Sequence, residues 1–353
     1  MTAAVFAIPG NIDLLTGGYG YDRRVLARLG DHGIDVRHLA LPGSFPIPTV
    51  ADLADTARLL GEVNPGAVLM IDGLAYGALP AALIDAVRSP IMALVHHPLC
   101  LEAGLDEPSR QALRASETAA LARARHVVVT SPTTAAALAA DFAVPSERIT
   151  VAVPGTDPVP RATGTGVPVQ LLAVGSVVAR KAYDTLVRAL GPLRQRDWHL
   201  TICGATDLDR GAFATLQAVL RETDLGDRVT LAGPANTDEL AQRYARADLL
   251  VSASLYEGYG MTLAEALAHG LPLVCTTGGA AAQTVPDAAA LKVPPGDVAA
   301  LSEALARVLD DQALRRRLSD AAWAAAASLP RWKDTLRAIA NAIRSVASMS
   351  ASP

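Results

Sequence analysis

Ser254-Leu-Tyr-Glu-Gly-Tyr-Gly-Met-Thr-Leu-Ala-Glu-Ala-Leu-Ala-His-Gly270 decides how this chain reads. It follows a short apolar run, residues 247–253, that ends in small residues. The spacing predicts a strand, a glycine-rich turn and a helix opening near Gly260. Gly258 and Gly260, on either side of Tyr259, carry no side chains, so backbone N–H groups can approach a ligand closely. The first helical turn, with Met261 and Thr262, aims unpaired donors and partial positive charge beyond the strand. That arrangement suits a phosphate. Glu257 stands in the turn and Glu265 about one turn into the helix, so one carboxylate can meet a sugar and the other a ribose. Two acids alone would equally describe a solvated helix face. The glycines and the following Leu-Pro-Leu-Val run make the stretch more specific.

Composition narrows the rest. At 353 residues the chain is long enough for two domains, and 51% apolar content excludes a disordered one. A net charge of −4 gives no nucleic-acid footprint. Cys100, Cys203 and Cys275 are scattered and form no C-x-x-C pair, which fits a reduced, cytoplasmic protein. No secretory signal stands at the N-terminus, and no run of about 18 uncharged apolar residues reads as a membrane span.

Strand-like runs at residues 5–9, 36–41, 67–71, 91–95, 126–130 and 149–153 alternate with helical patterns at 21–29, 50–63, 78–87, 109–124 and 133–142. That alternation means β-α-β units and a parallel sheet. Residues 154–168, with Gly155, Pro158, Pro160, Gly164 and Gly166, read as an inter-domain linker and hinge. A second alternation follows: strands at 169–174, 199–203, 229–232, 249–252 and 273–276, and helices at 183–190, 213–222, 239–245, 262–269 and 298–309. Residues 330–344 form an amphipathic helix. A disordered tail is expected over residues 348–353.

Other residues stand where ligands gather. His96 and His97 end the fourth strand, and Asp72 and Gly73 end the one before it. In a parallel sheet such ends face the ligand crevice. Adjacent strand residues point to opposite sides, so one histidine faces in, which argues against a two-histidine metal site. Gly17-Gly-Tyr-Gly20 is a glycine-rich loop without the G-x-G-x-x-G spacing or the acidic ribose ligand of a dinucleotide site. Arg180 and Lys181 precede a helix whose positive end disfavours them, so an anion is expected beside them. Gly204 and Gly233 end strands beneath a possible nucleoside.

The stretch around Glu257 and Glu265 resembles the E-x7-E signature of retaining glycosyltransferases of family 4. Gly175-Ser-Val-Val-Ala-Arg-Lys181, Gly278-Gly279 and Pro294-Pro-Gly-Asp297 are similar to further motifs of that family, although residues 280–286 depart from its usual Pro-Glu segment. The resemblance implies a GT-B fold: α/β, two doubly wound Rossmann-like domains facing a cleft, with a C-terminal helix returning to the first. The expected domains are 1–157 for the acceptor, 158–330 for the nucleotide-sugar donor, and 331–353 for the helix and tail.

It also implies roles. Arg180, Lys181 and the helix start at Gly258, Tyr259, Gly260, Met261 and Thr262 would hold the diphosphate, and Glu265 the ribose. Glu257 and His96 would act at the donor sugar, Gly18 would approach donor phosphate or sugar, and Gly233 would lie under the nucleoside. The carry-over at His96 is ambiguous by one residue. The donor would be a UDP- or GDP-sugar, the acceptor a glycan, lipid-linked or small molecule, with no metal or cofactor. Arg110, Arg114, Arg123 and Arg125 allow a weak peripheral contact of the first domain with the inner membrane face, though acids among them favour a solvated face. An inactive binding protein of the same fold, a nicotinamide oxidoreductase and, last, a glycoside hydrolase are the other readings.

Overall fold

The computed structural model describes residues 1–351, which divide into two compact units. The first comprises Met1–Leu14, Gly18–Gly155 and the chain from Pro330 onward. The second comprises Leu15–Gly17 and Thr156–Leu329.

The first unit alternates strand and helix: β1 (Thr2–Pro9), α1 (Gly17–Arg28), β2 (Ile34–Leu41), α2 (Val50–Gly61), β3 (Val68–Asp72), the short α3 (Gly73–Tyr76) and α4 (Ala81–Ala86), β4 (Ile91–Val95), α5 (Glu107–Leu121), β5 (His126–Val129), α6 (Pro132–Asp141) and β6 (Ile149–Val151). The sheet order is β2-β1-β3-β4-β5-β6, all parallel. β3 and β4 are buried along their whole length, as their unbroken apolar runs require when helices cover both faces. Order reverses at β1, so the loops after β1 and β3 open side by side, the usual place for a ligand.

The second unit repeats the plan: β7 (Val169–Val174), α7 (Tyr183–Leu190), β8 (Trp198–Cys203), α8 (Arg210–Glu222), β9 (Val229–Leu231), α9 (Thr237–Arg246), β10 (Leu249–Ser252), α10 (Met261–Ala268), β11 (Leu273–Thr276), α11 (Ala281–Thr284), β12 (Ala290–Val293), α12 (Val298–Asp310) and α13 (Gln312–Ala325). Its sheet order is β12-β11-β10-β7-β8-β9, again parallel, with the switch between β7 and β10. Four of these elements escape the sequence reading. α3, α11 and β12 are only four residues long, and α13 carries a polar, arginine-rich face that masks its period.

α14 (Trp332–Ala351) belongs to the first unit. Leu336, Ile339, Ala340, Ile343 and Val346 are buried, the 3–4 spacing of one helical face. The Thr335 hydroxyl donates to the Val153 carbonyl at 2.6 Å, and Trp332 packs 5.6 Å from Tyr21 with Arg24 over its ring. The helix continues past Ser348, where a disordered tail is expected; Ser352 and Pro353 lie outside the described residues.

Most of the segment 154–168, expected to be a linker, belongs to the second unit. From Pro160 onward the segment is strapped to the second unit. Ala162 N donates to the His269 carbonyl at 2.8 Å, His269 Nδ1 lies 3.1 Å from the Pro160 carbonyl, and Asp248 accepts from the backbone of Thr165, Gly166 and Gln170. Composition marks the segment as irregular, but it cannot show that its N–H groups find acceptors. All three cysteines are free, buried thiols.

Candidate active site

In the second unit, the loop from β10 to α10 is held by main-chain bonds to the chain after β11. Glu257 N donates to the Gly278 carbonyl at 3.2 Å, and Ala280 N to the Glu257 carbonyl at 2.8 Å. Gly279 has φ +62°, and a Cβ there would collide with the Glu257 carbonyl; one at Gly278 would collide with that of Leu255. The glycine pair therefore lets the loop carrying Glu257 lie against its neighbour.

The Glu257 side chain is buried. Lys181 Nζ donates to its Oε1 at 2.6 Å, and Arg180 Nη1 lies 3.5 Å from Oε2 while donating to the Tyr256 carbonyl at 2.8 Å. Burial alone would raise the Glu257 carboxyl. Lys181, then Arg180, with help from Ser254, overcome that and hold it down at about 2. Arg180 and Lys181 precede the helix α7, as expected. They form a 3₁₀ turn, Ala179–Lys181, that ends in a left-handed Ala182 before α7. The anion beside them in this structure is the protein's own Glu257.

Glycines line the strand ends nearby. A Cβ at Gly175, after β7, would lie 2.8 Å from Lys181 Cε, and one at Gly204, after β8, would collide with the Gly175 carbonyl. Gly233, after β9, has φ +69° with open space before it, and its carbonyl accepts from Gly204 N at 2.9 Å. α10 opens from Gly260 at φ +90°. The N–H groups of Met261 and Thr262 begin the helix and so have no intrahelical acceptor. Gly258 and Tyr259 lead into it, and the Tyr259 carbonyl accepts from the Thr284 hydroxyl at 2.6 Å. Glu265 is half-buried and accepts from the Tyr244 hydroxyl at 2.8 Å; the Tyr244 ring stacks on His269 at 5.0 Å.

In the first unit, Gly18 and His96 come together: a Cβ on Gly18 would lie 3.5 Å from His96 Cδ2. His96 Nε2 is 3.1 Å from Asp22 Oδ1 and 3.5 Å from Asp72 Oδ2, whereas His97 pairs with Glu102 at 3.1 Å. Of the two histidines, His96 lies beside Gly18, which stands in the first turn of α1 and not in the loop expected over residues 17–20. Its carbonyl accepts from Thr130 Oγ1 at 3.0 Å. Burial works against the imidazolium, but Asp22 and then Asp72 push His96 well up; burial raises Asp22, which His96 pulls back. Donor atoms of Asp22, Asp72 and His96 lie within 4.8 Å of one another, a span that would also accept a cation. Asp22 is absent from the sequence reading. Its signal was an acid between Tyr21 and Val25 on the buried face of α1.

Three of the four arginines considered for membrane contact bond within the first unit: Arg110 to the Cys100 and Leu105 carbonyls, Arg114 over Phe142, and Arg123 to Asp85. No helix among the described residues is long and apolar enough to cross a membrane.

Residues 165–324 match the family model of glycosyl transferases group 1, and residues 11–155 that of the glycosyl transferase 4-like domain. The MMP alpha-(1->4)-mannosyltransferase of Mycolicibacterium hassiacum is 28% identical over 247 residues, 65% of this chain and 59% of that protein. The D-inositol 3-phosphate glycosyltransferase of Salinispora arenicola is 31% identical over 245 residues, 62% of this chain and 54% of that protein. The chain thus spans little more than half the length of these relatives. Among solved structures, sucrose-phosphate synthase from Thermosynechococcus elongatus superposes with a TM-score of 0.82 at 21% identity, covering 98% of this chain and 100% of that one. These likenesses establish the GT-B fold for both units.

Proposed function

The chain belongs to the glycosyl transferases group 1, family 4, with a GT-B fold, and from that membership we propose that it moves a sugar from a nucleoside-diphosphate donor to an acceptor hydroxyl. The observation that carries the reading is the convergence of Lys181, Arg180 and Glu257 beside the opening of α10. Departure of a nucleoside diphosphate develops negative charge. Two fixed cations and a helix start stabilise it without reorganising. In this reading Lys181 and Arg180 hold the diphosphate with Met261 and Thr262, over a floor that includes Gly233. Glu265, oriented by Tyr244, takes the ribose. Glu257 orients the donor sugar and keeps the two cations in place, and His96 with Gly18 meets the sugar.

Transfer proceeds with retention in this proposal. Displacement occurs on one face, and the leaving phosphate takes the acceptor proton, so neither a covalent nucleophile nor a metal takes part. A small hydroxylated acceptor agrees with the name of the inositol 3-phosphate relative. A solved structural neighbour was crystallised with UDP-glucose, which makes UDP the first nucleotide to try.

Thermal-shift measurements with UDP, GDP, ADP and their glucose and mannose conjugates test the proposal. Ligand at a hundredfold excess over Kd adds about 2.7 kcal/mol of apparent stability. Stabilisation by one base, lost in Lys181→Ala and Glu265→Ala, is the expected result. A folded protein that no nucleotide stabilises would instead be a binding protein of the same fold.

A further inference from the structure

Arg180 and Lys181 stand on a turn whose shape is not self-supporting. It closes on Ala182 at φ +47°, a left-handed backbone that a side chain disfavours and that persists only where the surroundings hold it. The first N–H of the turn, at Ala179, has no acceptor within the turn, and Val178 before it has no side-chain oxygen to cap it. The acceptor comes from 30 positions further along the chain. Asp209 Oδ2 takes the Ala179 N–H at 3.1 Å, while its Oδ1 takes the Ala212 N–H at 2.9 Å as the N-cap of α8. One half-buried carboxylate thus closes two helical starts at once. Backbone bonds fasten the turn on its other sides: Val177 N donates to the Ala205 carbonyl at 2.7 Å, and Leu255 N to the Arg180 carbonyl at 2.8 Å. The first of these joins the turn to the loop that carries Asp209, and the second joins it to the loop that carries Glu257.

We propose that Asp209 is a positioning residue for Arg180 and Lys181, and that its effect falls on the second phosphate of a nucleoside diphosphate. The first half follows from the contacts. Two side chains form a fixed clamp only when the backbone beneath them is fixed, and a displacement of about 1 Å at a site can cost a factor of about 100. Asp209 acts through the backbone of Ala179, the residue before Arg180. The second half rests on the transferase reading, in which these two cations hold the diphosphate. A monophosphate offers them one phosphate instead of two, so loss of the bridge should separate the two ligands.

Asp209→Ser separates the bridge from the cap. Serine caps a helix about as well as aspartate, so its hydroxyl can serve Ala212, but it has no second oxygen for Ala179. Hydrogen exchange of the full chain, read on peptides by mass spectrometry, tests the first half without any ligand. Exchange over residues 176–184 is expected to be about tenfold faster in Asp209→Ser, and exchange over residues 210–216 to stay unchanged. Asp209→Thr, equally short of the second oxygen, is the second variant should Asp209→Ser not fold. Unchanged exchange over 176–184 in a folded variant overturns the assignment. So does an equal acceleration there in Asp311→Ala, which loses the cap of α13 and stands for general loosening of the unit.

UDP and UMP binding tests the second half, with GDP and GMP or ADP and AMP in their place if the unaltered protein selects another base. Asp209→Ser should weaken the diphosphate about tenfold and the monophosphate less than about twofold, and Asp311→Ala should weaken neither. Equal losses for both ligands, or no loss for either, overturn the phosphate assignment. If the unaltered protein binds no nucleotide, the transferase reading fails and this half with it, while the exchange measurement still decides whether Asp209 holds the turn.

Discussion

Lys181 lies 2.6 Å from a carboxylate 76 positions away in the chain, and the contact couples stability to the site. Removing one member of a buried pair leaves the other unpaired, at a cost of about 3–5 kcal/mol. Arg180 remains near Glu257, so Lys181→Ala should lose roughly 3 kcal/mol at pH 7. Lys181→Ala/Glu257→Gln should regain part of it, both read by urea denaturation. The pH dependence has a definite sign. Glu257 is held at about 2 against an ordinary 4.5, so its contribution is present above 4.5 and is lost as pH falls toward 2. In Lys181→Ala that acid-side loss shrinks, and an unchanged acid profile would contradict the pairing. At this scale the sequence was half legible. The conflict of a basic pair near a helix start was real, but the resident anion lies in a motif read separately, and chain distance hid the pairing. Asp22 was hidden for a different reason: burial of an acid shows in sequence only as one polar residue on an apolar face.

Among the elements, strands were the easiest to read, because residues 91–95, 169–174, 249–252 and 273–276 are apolar runs closed by turn residues and coincide with β4, β7, β10 and β11. α13 was missed because a helix rich in Arg and Ala presents little contrast between its faces, and its N-cap, Asp311 accepting from Leu314 N at 2.8 Å, is a single residue among other acids. The loop from β10 to α10 illustrates what a motif conceals. Its signature residues are acids, yet its shape depends on Gly278 and Gly279 some twenty residues later. Gly279→Ala must place a Cβ at φ +62° against the Glu257 carbonyl. It should lose about 1–3 kcal/mol of stability and weaken nucleotide-sugar binding, as thermal denaturation with and without UDP-glucose would show. A neutral outcome would mean that the loop is not built on that contact.

In the molecule as a whole, two units were legible from the reset of the β-α alternation, and the return of the last helix was implied by family resemblance. The extent of the strap onto the second unit was not, since it consists of backbone hydrogen bonds that any residue types can make. α14 makes the first unit discontinuous in sequence, and its buried face carries testable weight. Ile339→Ala removes a wholly buried side chain and should cost about 2–5 kcal/mol. Nucleotide binding, which belongs to the second unit in our proposal, should survive at temperatures where the variant is folded. Loss of binding in folded Ile339→Ala would mean that the units do not keep separate sites.

Placement of α14 also sets an order of events at the ribosome. The strands β1 to β6 are made before the second unit, but the helix that covers them is made after it. The second unit, nearly all of it contiguous, can close in between. At about 5–20 residues per second, synthesis of residues 156–329 takes on the order of ten seconds or more. Throughout that interval the nascent first unit lacks the helix that carries Leu336, Ile339 and Ile343, leaving exposed an apolar surface of the kind chaperones bind.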